Sequence, residues 1–299
     1  MQKVIITGAN GFIGRSLATK LIEKKVNVVA IDVTFENSIL PESEYLTKIQ
    51  MSLDNTESLM IALSVEDGYD VFYHLAWQGV NGVTKADPFI QLNNAQMALR
   101  CAKVAKDIGC GKFLCAGTIA EQAVNSLPHL EKTSGGMMYG AAKHCTHLIL
   151  ETYCKNIGLD FVWMQFSNIY GARNKTGNLI SYTLGEILNG REALFGPASQ
   201  PYDFIFVDDL LEAVYRLGDR ATSRNTYYIG SGAPRVLKEY LLEVGRIADR
   251  EVLIQIGKRP DDGIVYTWDM FDTTALVEDI GEYVTKSFTE RIQETITAS

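Results

Sequence analysis

The sequence has no long hydrophobic run, and this absence argues against a membrane protein. None of its apolar stretches approaches the ~20 residues that span a bilayer. The first apolar segment, Val4–Ile6, ends at Thr7 and is much shorter than the roughly 7–15 apolar residues that a secretory signal needs. We therefore expect a cytoplasmic protein without a membrane partner.

The sequence also lacks a cluster of basic residues. It has 28 Lys and Arg against 36 Asp and Glu, which gives a formal net charge of −8. Proteins that bind nucleic acids or anionic membranes concentrate positive charge on one surface. Neither partner is expected here, and an anionic ligand must be bound by local donors.

Cysteines are few and never occur in C-x-x-C spacing. They are Cys101, Cys110, Cys115, Cys145 and Cys154. An odd number in this arrangement favours neither a zinc site nor a disulfide framework. We predict no metal, and free, mostly buried thiols in a reducing cytosol.

The chain has 299 residues, of which 46% are hydrophobic and 21% charged, as in globular proteins of one large domain or two smaller ones. Its first half alternates short apolar runs with amphipathic stretches. Apolar runs without polar alternation predict a parallel sheet covered by helices on both faces, the doubly wound α/β (Rossmann) class. The predicted strands are Lys3–Thr7, Asn27–Asp32, Asp70–Leu75, Lys112–Ala116 and Asp160–Phe166. The predicted helices are Gly11–Lys24, Thr56–Leu63, Phe89–Ile108 and Tyr139–Asn156.

The later part is less regular and predicts a smaller α/β part. Its predicted helices are Gly177–Asn189, Asp208–Leu217 and Val236–Ile247, and its predicted strands are Phe204–Val207 and Tyr227–Ile229. Loops are expected at Ser126–Gly136, Gly196–Gln200 and Ser231–Pro234.

A glycine-rich turn, Thr7-Gly8-Ala9-Asn10-Gly11-Phe12-Ile13-Gly14, joins the first predicted strand to the first helix. Gly8 permits a tight turn, and Gly11 lets backbone N–H groups approach a pyrophosphate at the helix N-terminus. Gly14 lets the helix pack closely on the sheet. The turn therefore predicts a dinucleotide cofactor.

Asp32 lies at the end of the second predicted strand, about 20 residues after the glycines. A carboxylate at this place accepts hydrogen bonds from the adenosine ribose hydroxyls and repels a 2′-phosphate. NAD is therefore expected rather than NADP.

The glycine turn, Asp32, the segment His74–Trp77 (HLAW) and Tyr139-x-x-x-Lys143 together resemble the extended short-chain dehydrogenase/reductase family. The closest likeness is to its nucleotide-sugar epimerase/dehydratase/reductase branch, and it runs from residue 1 to about 296. It implies an NAD-dependent enzyme that acts on a nucleotide-diphosphate sugar. It also implies an NAD-binding domain at 1–167 and a mainly substrate-binding part at 168–299. Within the second part, the chain is expected to return to the NAD-binding domain at about 204–230.

The resemblance assigns the chemistry to three residues. Tyr139 and Lys143 are four apart and share a helix face. Tyr139 is implied as general acid or base, with its pKa depressed by the Lys143 ammonium, which also binds the nicotinamide ribose. Thr118 takes the place of the hydroxyl that holds the substrate oxygen.

Further contacts are implied by the same resemblance. The cofactor positions are Gly8, Asn10, Gly11, Phe12, Ile13, Gly14, Asp32, Ser52, Leu53, Leu75, Ala76, Trp77, Asn93, Tyr139, Lys143 and Phe166. The substrate positions are Thr118, Asn168, Asn178, Leu179, Phe195 and Arg259. Two positions depart from the family, because Ser52 stands where an Asp is usual and Tyr202 where a phosphate-binding Arg is usual. His74 is expected to be a packed strand residue.

Other departures narrow the reaction. The 4,6-dehydratases of the branch use an Asp and a Glu where this chain has Ile119 and Ala120, which transfer no proton. The 3,5-epimerising relatives need a Cys in place of Ala120 and a later His, whereas all four histidines precede residue 148. Hydride transfer at C4 of the sugar remains.

Three functions stay open at this point. The short substrate part favours a 4-keto-6-deoxy-sugar reductase over a 4-epimerase. A 4-epimerase with resident NAD is the alternative, and the NAD preference implied by Asp32 favours it. A non-catalytic dinucleotide-binding sensor is the least favoured function. The chain carries Thr118, Tyr139 and Lys143, and a protein that only binds a dinucleotide has no need of them.

The apolar pattern of two predicted helices indicates a homodimer. Residues 89–108 and 139–156 have apolar side chains on more than one side, as expected of helices that pair across a two-fold axis. We expect a homodimer whose interface includes His147 and Glu151.

Overall fold

The computed structural model of the chain describes residues 1–63, 68–171 and 178–298. Its strands are β1 (Lys3–Thr7), β2 (Asn27–Asp32), β3 (Leu46–Gln50), β4 (Val71–His74), β5 (Lys112–Thr118), β6 (Asp160–Phe166), β7 (Asn168–Tyr170), β8 (Ala193–Leu194), β9 (Pro201–Tyr202), β10 (Phe204–Phe206), β11 (Thr226–Ile229), β12 (Arg235–Val236) and β13 (Ile254–Gln255). Its α-helices are α1 (Phe12–Glu23), α2 (Thr56–Leu63), α3 (Pro88–Asp107), α4 (Gly135–Ile157), α5 (Leu179–Ile187), α6 (Val207–Asp219), α7 (Leu237–Ile247), α8 (Thr274–Ile280) and α9 (Phe288–Thr297). Short 3-10 helices lie at Val83–Ala86, Ile119–His129, Glu251–Leu253 and Trp268–Phe271.

Seven strands form one sheet in the order β11-β6-β5-β4-β1-β2-β3, and every neighbouring pair is parallel. The chain winds outward in one direction through β2 and β3 and in the other through β4, β5, β6 and β11. This confirms the doubly wound parallel sheet. A crevice therefore opens between the carboxyl ends of β1 and β4, where ligands bind in such sheets.

Helices cover both faces of the sheet, as its apolar strands require. Helices α1, α6 and α8 contribute to the core on one face, and α2, α3 and α4 to the core on the other. A third, smaller core joins α5, α7 and α9 in the C-terminal part. The division of the chain into a cofactor-binding and a substrate-binding part stays a prediction.

Three predicted segments near the crevice have other bounds in the structure. Helix α4 begins at Gly135, four residues before Tyr139, so that Tyr139 lies in its second turn. The segment 126–136, predicted as a loop, contains the end of the 3-10 helix and the start of α4. The predicted helix Gly177–Asn189 is observed from Leu179, and Gly177 itself lies outside the described residues. Within the described residues no helix is both long and apolar enough to cross a membrane.

Candidate active site

A cleft of about 480 Å³ lies at the carboxyl ends of the central strands. Its volume is in the range of small-molecule sites. The predicted residues that line it are Gly8, Gly11, Phe12, Ile13, Gly14, Asp32, Ser52, Leu53, Leu75, Ala76, Trp77, Thr118, Tyr139, Phe166, Asn168 and Asn178. The structure therefore brings together residues that are up to 170 positions apart in the sequence.

The turn between β1 and α1 is packed too tightly for side chains at two glycines. Gly8 has φ +71°, and a Cβ there would lie 2.7 Å from the backbone N of Ala76. A Cβ on Gly14 would lie 2.1 Å from the carbonyl oxygen of Gly8. Gly11 precedes α1 and places no capping side chain over its first N–H groups. These donors stay open to the cleft, and they fit the pyrophosphate of a dinucleotide.

Asp32 lies beside this turn, at the end of β2. Its Oδ2 accepts a hydrogen bond from the backbone N of Asn10 at 2.9 Å, and its Oδ1 accepts one from Val33 N at 2.8 Å. These contacts fix the carboxylate at the cleft wall, where its free acceptor positions fit ribose hydroxyls. The Asn10 side chain donates instead to Thr34 O at 3.0 Å and does not line the cleft.

The wall beyond Asp32 consists of Ser52 and buried Leu53. Ser52 Oγ donates to Asp54 Oδ2 at 2.6 Å, and Asp54 lines the cleft, so a carboxylate lies here two residues after the expected position. Asn93 was predicted as a cofactor contact, but the structure does not place it on the cleft wall. Its Nδ2 lies 3.5 Å from Oδ1 of Asp54, which does line the cleft. Asn93 therefore contacts a residue of the cleft wall without being part of that wall.

At the other end of the cleft, Thr118 and Tyr139 meet. Thr118 ends β5, and its Oγ1 accepts a hydrogen bond from Ala120 N at 3.3 Å as the N-cap of the following 3-10 helix. A hydrogen bond with Thr118 favours the phenolate of Tyr139, but burial and the nearby Glu121 carboxylate act against it. Burial is the largest effect, so the pKa of Tyr139 is raised above its ordinary value. The predicted depression of this pKa, which relies on the nicotinamide charge as well as on Lys143, is not seen in the chain by itself and stays a prediction for the cofactor-bound site.

Lys143 does not face the cleft as the resemblance implies. It is 3% exposed, and its Nζ donates to the carbonyl oxygen of Ala116 at 2.6 Å. The ring of Trp77 covers the ammonium, with the ring centroid 3.6 Å from Nζ. Burial lowers the pKa of Lys143 to about 8. Lys143 thus packs against Trp77, which lines the cleft, and is not itself a lining residue.

The position of Trp77 is fixed by a second buried residue. Its Nε1 donates to Gln91 Oε1 at 2.8 Å, and Gln91 is fully buried. The Trp77 ring stands edge-on to the Tyr139 ring, with the centroids 6.2 Å apart. An aromatic wall therefore flanks Tyr139, which the motif by itself does not predict.

A buried carboxylate that sequence reasoning missed supports Thr118 from behind. Glu121 is 2% exposed, and its Oε1 accepts from Thr118 N at 2.7 Å and from Trp163 Nε1 at 3.1 Å. Thr118 and Glu121 form a capping box. The spacing T-x-x-E after a strand was the signal that could have revealed it.

His147 belongs to the same buried group. Its ring stacks on Trp163 with centroids 4.8 Å apart, and Nε2 lies 2.8 Å from Thr226 Oγ1. The His147 side chain is 14% exposed and packs within the subunit, whereas the Glu151 side chain is 42% exposed; their place in a dimer interface stays a prediction. His74 is also buried, at 1%, with Nδ1 2.9 Å from Thr7 Oγ1, and burial lowers its pKa to about 3.

The predicted substrate residues divide between two neighbouring cavities. Asn168 and Asn178 line the main cleft, whereas Leu179, Phe195 and Arg259 line a second cavity of about 330 Å³. Arg259 Nη2 donates to the Tyr182 hydroxyl at 2.9 Å across that cavity.

Tyr202 joins the two cavities. Its hydroxyl donates to Asn168 Oδ1 at 2.9 Å, and its ring lines the second cavity. Asn178 caps α5, with Oδ1 accepting from Ser181 N at 2.8 Å. The position that usually holds an Arg is thus filled by a neutral hydrogen-bond donor.

Comparisons with known proteins agree with this architecture. The model of the NAD dependent epimerase/dehydratase family matches residues 4–230. Over 252 residues the chain is 27% identical to a UDP-glucose 4-epimerase of Mycolicibacterium smegmatis, with 80% of each chain covered. Over 250 residues it is 24% identical to a dTDP-4-dehydro-6-deoxyglucose reductase of Escherichia coli, with 80% and 79% covered.

A solved structure shows the same fold. The UDP-glucose 4-epimerase of Thermotoga maritima, crystallised with UDP-glucose, has a TM-score of 0.80 to this chain at 20% identity. The match covers 99% of this chain and 98% of that one. The argument that this chain is short for a 4-epimerase is therefore wrong.

Proposed function

The chain belongs to the NAD-dependent epimerase/dehydratase family, and we propose that it reduces the 4-keto group of a nucleotide-activated 6-deoxy sugar. The family consists of enzymes that act on nucleotide sugars, and NAD is the cofactor. The observation that carries the proposal is one cleft that runs from the glycine turn to Thr118 and Tyr139, with Trp77 beside them.

The proposed reaction needs one hydride and one proton. The glycine turn and Asp32 would hold the reduced cofactor, which would supply the hydride to C4 of the sugar. Tyr139 donates its phenol proton to the oxygen on C4, so that the carbonyl becomes a hydroxyl. Thr118 holds that oxygen beside the phenol.

The raised pKa of Tyr139 suits a proton donor. Its phenol stays protonated at neutral pH in the chain by itself, as a general acid must be before the reaction. The same raised pKa makes the phenolate that forms after proton donation unfavourable. A positive charge near the phenolate oxygen is therefore needed to stabilise it. Elimination is not supported, because Ile119 is buried and carries no proton-transferring group.

Trp77 favours a reductase over an epimerase. A 4-epimerase must let its keto intermediate turn, so that hydride returns to the opposite face of C4. The indole beside Tyr139 is held by Gln91 and restricts the room for that rotation. An apolar ring at this place also suits the methyl group of a 6-deoxy sugar.

The second candidate is a nucleotide-sugar 4-epimerase with resident NAD. It is favoured by the full-length fold match to a 4-epimerase, which removes the argument from chain length. Thr118 and Tyr139 would perform the same proton transfer in both directions.

The cofactor's fate distinguishes these candidates. The purified protein is incubated with NADH and a dTDP-4-keto-6-deoxy sugar, and separately with UDP-glucose without added cofactor. We expect one NADH to be consumed for each keto sugar reduced. Conversion of UDP-glucose to UDP-galactose without net NADH consumption would instead establish the epimerase.

The substrate contacts are part of the proposal. Asn168 and Asn178 would lie near the diphosphate, and Leu179, Phe195 and Arg259 near the nucleotide, in the second cavity. The Arg259 guanidinium suits a phosphate oxygen because of its planar donors.

We also propose a homodimer and a cytoplasmic location. The homodimer is supported by exposed apolar side chains on neighbouring helices α3 and α4. The location is supported by the five cysteines, all of which lie in described residues and are unpaired.

A further inference from the structure

Lys85 is a cation of the cleft that none of the sequence motifs includes. It lies in the 3-10 helix Val83–Ala86 and lines the cleft together with Tyr139. Its Nζ lies 5.0 Å from the centroid of the Tyr139 ring. This places the ammonium at the reacting end of the cleft and not at the glycine turn.

The charge of Lys85 has no ion-pair partner in the part of the chain that the structure describes. Among the described residues, no carboxylate lies within ion-pairing distance of its Nζ. The nearest in sequence, Asp87, uses its Oδ1 to accept hydrogen bonds from Phe89 N and Ile90 N at the start of α3. A half-buried cation without an anion is costly unless a ligand supplies one. Burial accordingly lowers the pKa of Lys85.

The backbone that carries Lys85 is well fixed. Gln91 Nε2 donates to Gly79 O at 2.9 Å and lies 3.5 Å from Thr84 O, next to Lys85. The same Gln91 accepts from Trp77. The position of the ammonium is thus tied to the aromatic wall of the cleft by one buried side chain.

Other cations in the described part of the site do not serve the main cleft. Lys143 is covered by Trp77, and Arg259 lies on the second cavity, bound to Tyr182. Tyr202 is neutral and donates to Asn168, which faces the main cleft. Among the described residues that line this cleft, Lys85 is therefore the one cation that faces a nucleotide diphosphate bound there.

We propose that Lys85 binds an anionic oxygen of the nucleotide sugar and supplies the positive charge that Tyr202 does not. This rests on the proposed function, since it takes a nucleotide sugar as the ligand. The anion is the diphosphate, which every such substrate carries, or a carboxylate on the sugar. The pyrophosphate of the cofactor is not the anion that we assign to Lys85, because the pyrophosphate belongs at the glycine turn, away from Tyr139.

The test measures binding to the NAD-loaded protein by titration calorimetry. The variants are K85M, which removes the charge, K85R, which keeps it, and K132M as a control at an exposed lysine outside the cleft. The probes are UDP-, dTDP- and CDP-glucose, and UDP-glucuronate. The melting temperature of K85M should not fall below that of the wild type, because Lys85 makes no side-chain hydrogen bond within the described residues and its unpaired charge is removed. The NAD affinity should be unchanged, because the cofactor pyrophosphate belongs at the glycine turn.

We expect K85M to weaken binding at least tenfold, as for loss of a charge-assisted hydrogen bond, and to remove most of its salt dependence. K85R should restore most of the affinity, and K132M should not change it. An equal loss for the glucose and glucuronate nucleotides assigns Lys85 to the diphosphate, and a loss for UDP-glucuronate alone assigns it to the carboxylate.

Two results would overturn the proposal, and they are distinguishable. Unchanged affinity of K85M for every nucleotide that the wild type binds, UDP-glucuronate included, rejects the role of Lys85 and leaves the proposed function intact. Failure of the wild type to bind any of the four probes rejects the proposed function, and the role of Lys85 with it.

Discussion

At the scale of single residues, Tyr139 is the group whose loss should affect the chemistry alone. Replacing it by Phe removes the phenol proton and keeps the ring against Trp77. We expect Tyr139→Phe to lower kcat by roughly 10²–10⁴-fold, the usual contribution of a general acid or base. Steady-state kinetics measures the loss, and fluorescence titration with NADH should give an unchanged affinity.

Tyr153→Phe is the matched control for this variant. Tyr153 lies on the same helix and packs against the core behind the sheet, away from the cleft. Its replacement should leave kcat within about twofold, because it touches no residue of the site. A Tyr139→Phe enzyme that retained more than a tenth of the wild-type rate would refute the assignment.

Asp32 sets the expected choice of cofactor. Its carboxylate is held at the cleft wall by the backbone of Asn10 and Val33 and would face a 2′-phosphate directly. Asp32→Ala should therefore reduce the preference for NADH over NADPH at least tenfold, because it removes a repulsive charge. The ratio of kcat/KM values for the two cofactors measures this. A wild-type preference for NADPH would show that Asp32 does not select the cofactor.

Single residues also show how much of the site could be predicted from the sequence. Glycine spacing predicted the turn correctly, because backbone geometry there depends on local residues. The cover of Trp77 over Lys143 could not be predicted, since it depends on Gln91, 14 positions away on another element. The raised pKa of Tyr139 in the chain by itself could not be predicted for the same reason, since it follows from burial, which is a tertiary property.

At the scale of elements, the 3-10 helix Ile119–His129 connects β5 to α4 and orients Thr118. Glu121 ties its first turn to Thr118 N and to Trp163 Nε1. Glu121→Ala leaves both donors unpaired in a buried place. We expect it to lower the free energy of unfolding by about 1–3 kcal/mol, as measured by urea denaturation.

Glu121→Gln is the informative companion to that variant. It keeps an oxygen acceptor and should lose less stability than Glu121→Ala. Glu131→Ala, at an exposed position after this helix, should be within about 0.5 kcal/mol of the wild type. Equal stability of Glu121→Ala and the wild type would mean that the capping box does not hold the element.

The elements differ in how well their sequences predict them. Strands β1, β2 and β6 match their predicted bounds, because a buried parallel strand requires an uninterrupted apolar run. Strand β3 was missed because it lies at the sheet edge, and exposed Thr47 and Lys48 interrupt its apolar pattern. The start of α4 was missed because Gly135 and Gly136 are typical of loops.

Tertiary packing explains that last miss. A Cβ on Gly140 would lie 2.2 Å from the carbonyl oxygen of Ala120, so α4 packs directly on the 3-10 helix. Close approach of the two elements, and not local helix preference, stabilises the glycine-rich first turn.

At the scale of the whole molecule, two neighbouring helices leave an apolar surface uncovered. Phe89 and Leu92 on α3 are 80% and 58% exposed, and Leu148 and Ile149 on α4 are 52% and 42% exposed. Exposed Cys145 and Thr152 extend the α4 set to the spacing i, i+3, i+4, i+7, which is one helix face. We propose this exposed face of α4, more than the partly buried His147, as the contact with a second copy.

We predict that Leu148→Asp dissociates the proposed homodimer, because a charge would be buried in an apolar contact without a partner. Light scattering should give about twice the chain mass of 33.2 kDa for the wild type and a single chain mass for the variant. Ile61→Asp makes the same change at a 72% exposed position on α2 and should leave the dimer intact. The Cys145 thiol, shielded in the dimer, should react faster with a thiol reagent in Leu148→Asp. A wild type of single chain mass at micromolar concentration would refute the dimer, and a dimer that persists in Leu148→Asp would place its interface on another surface.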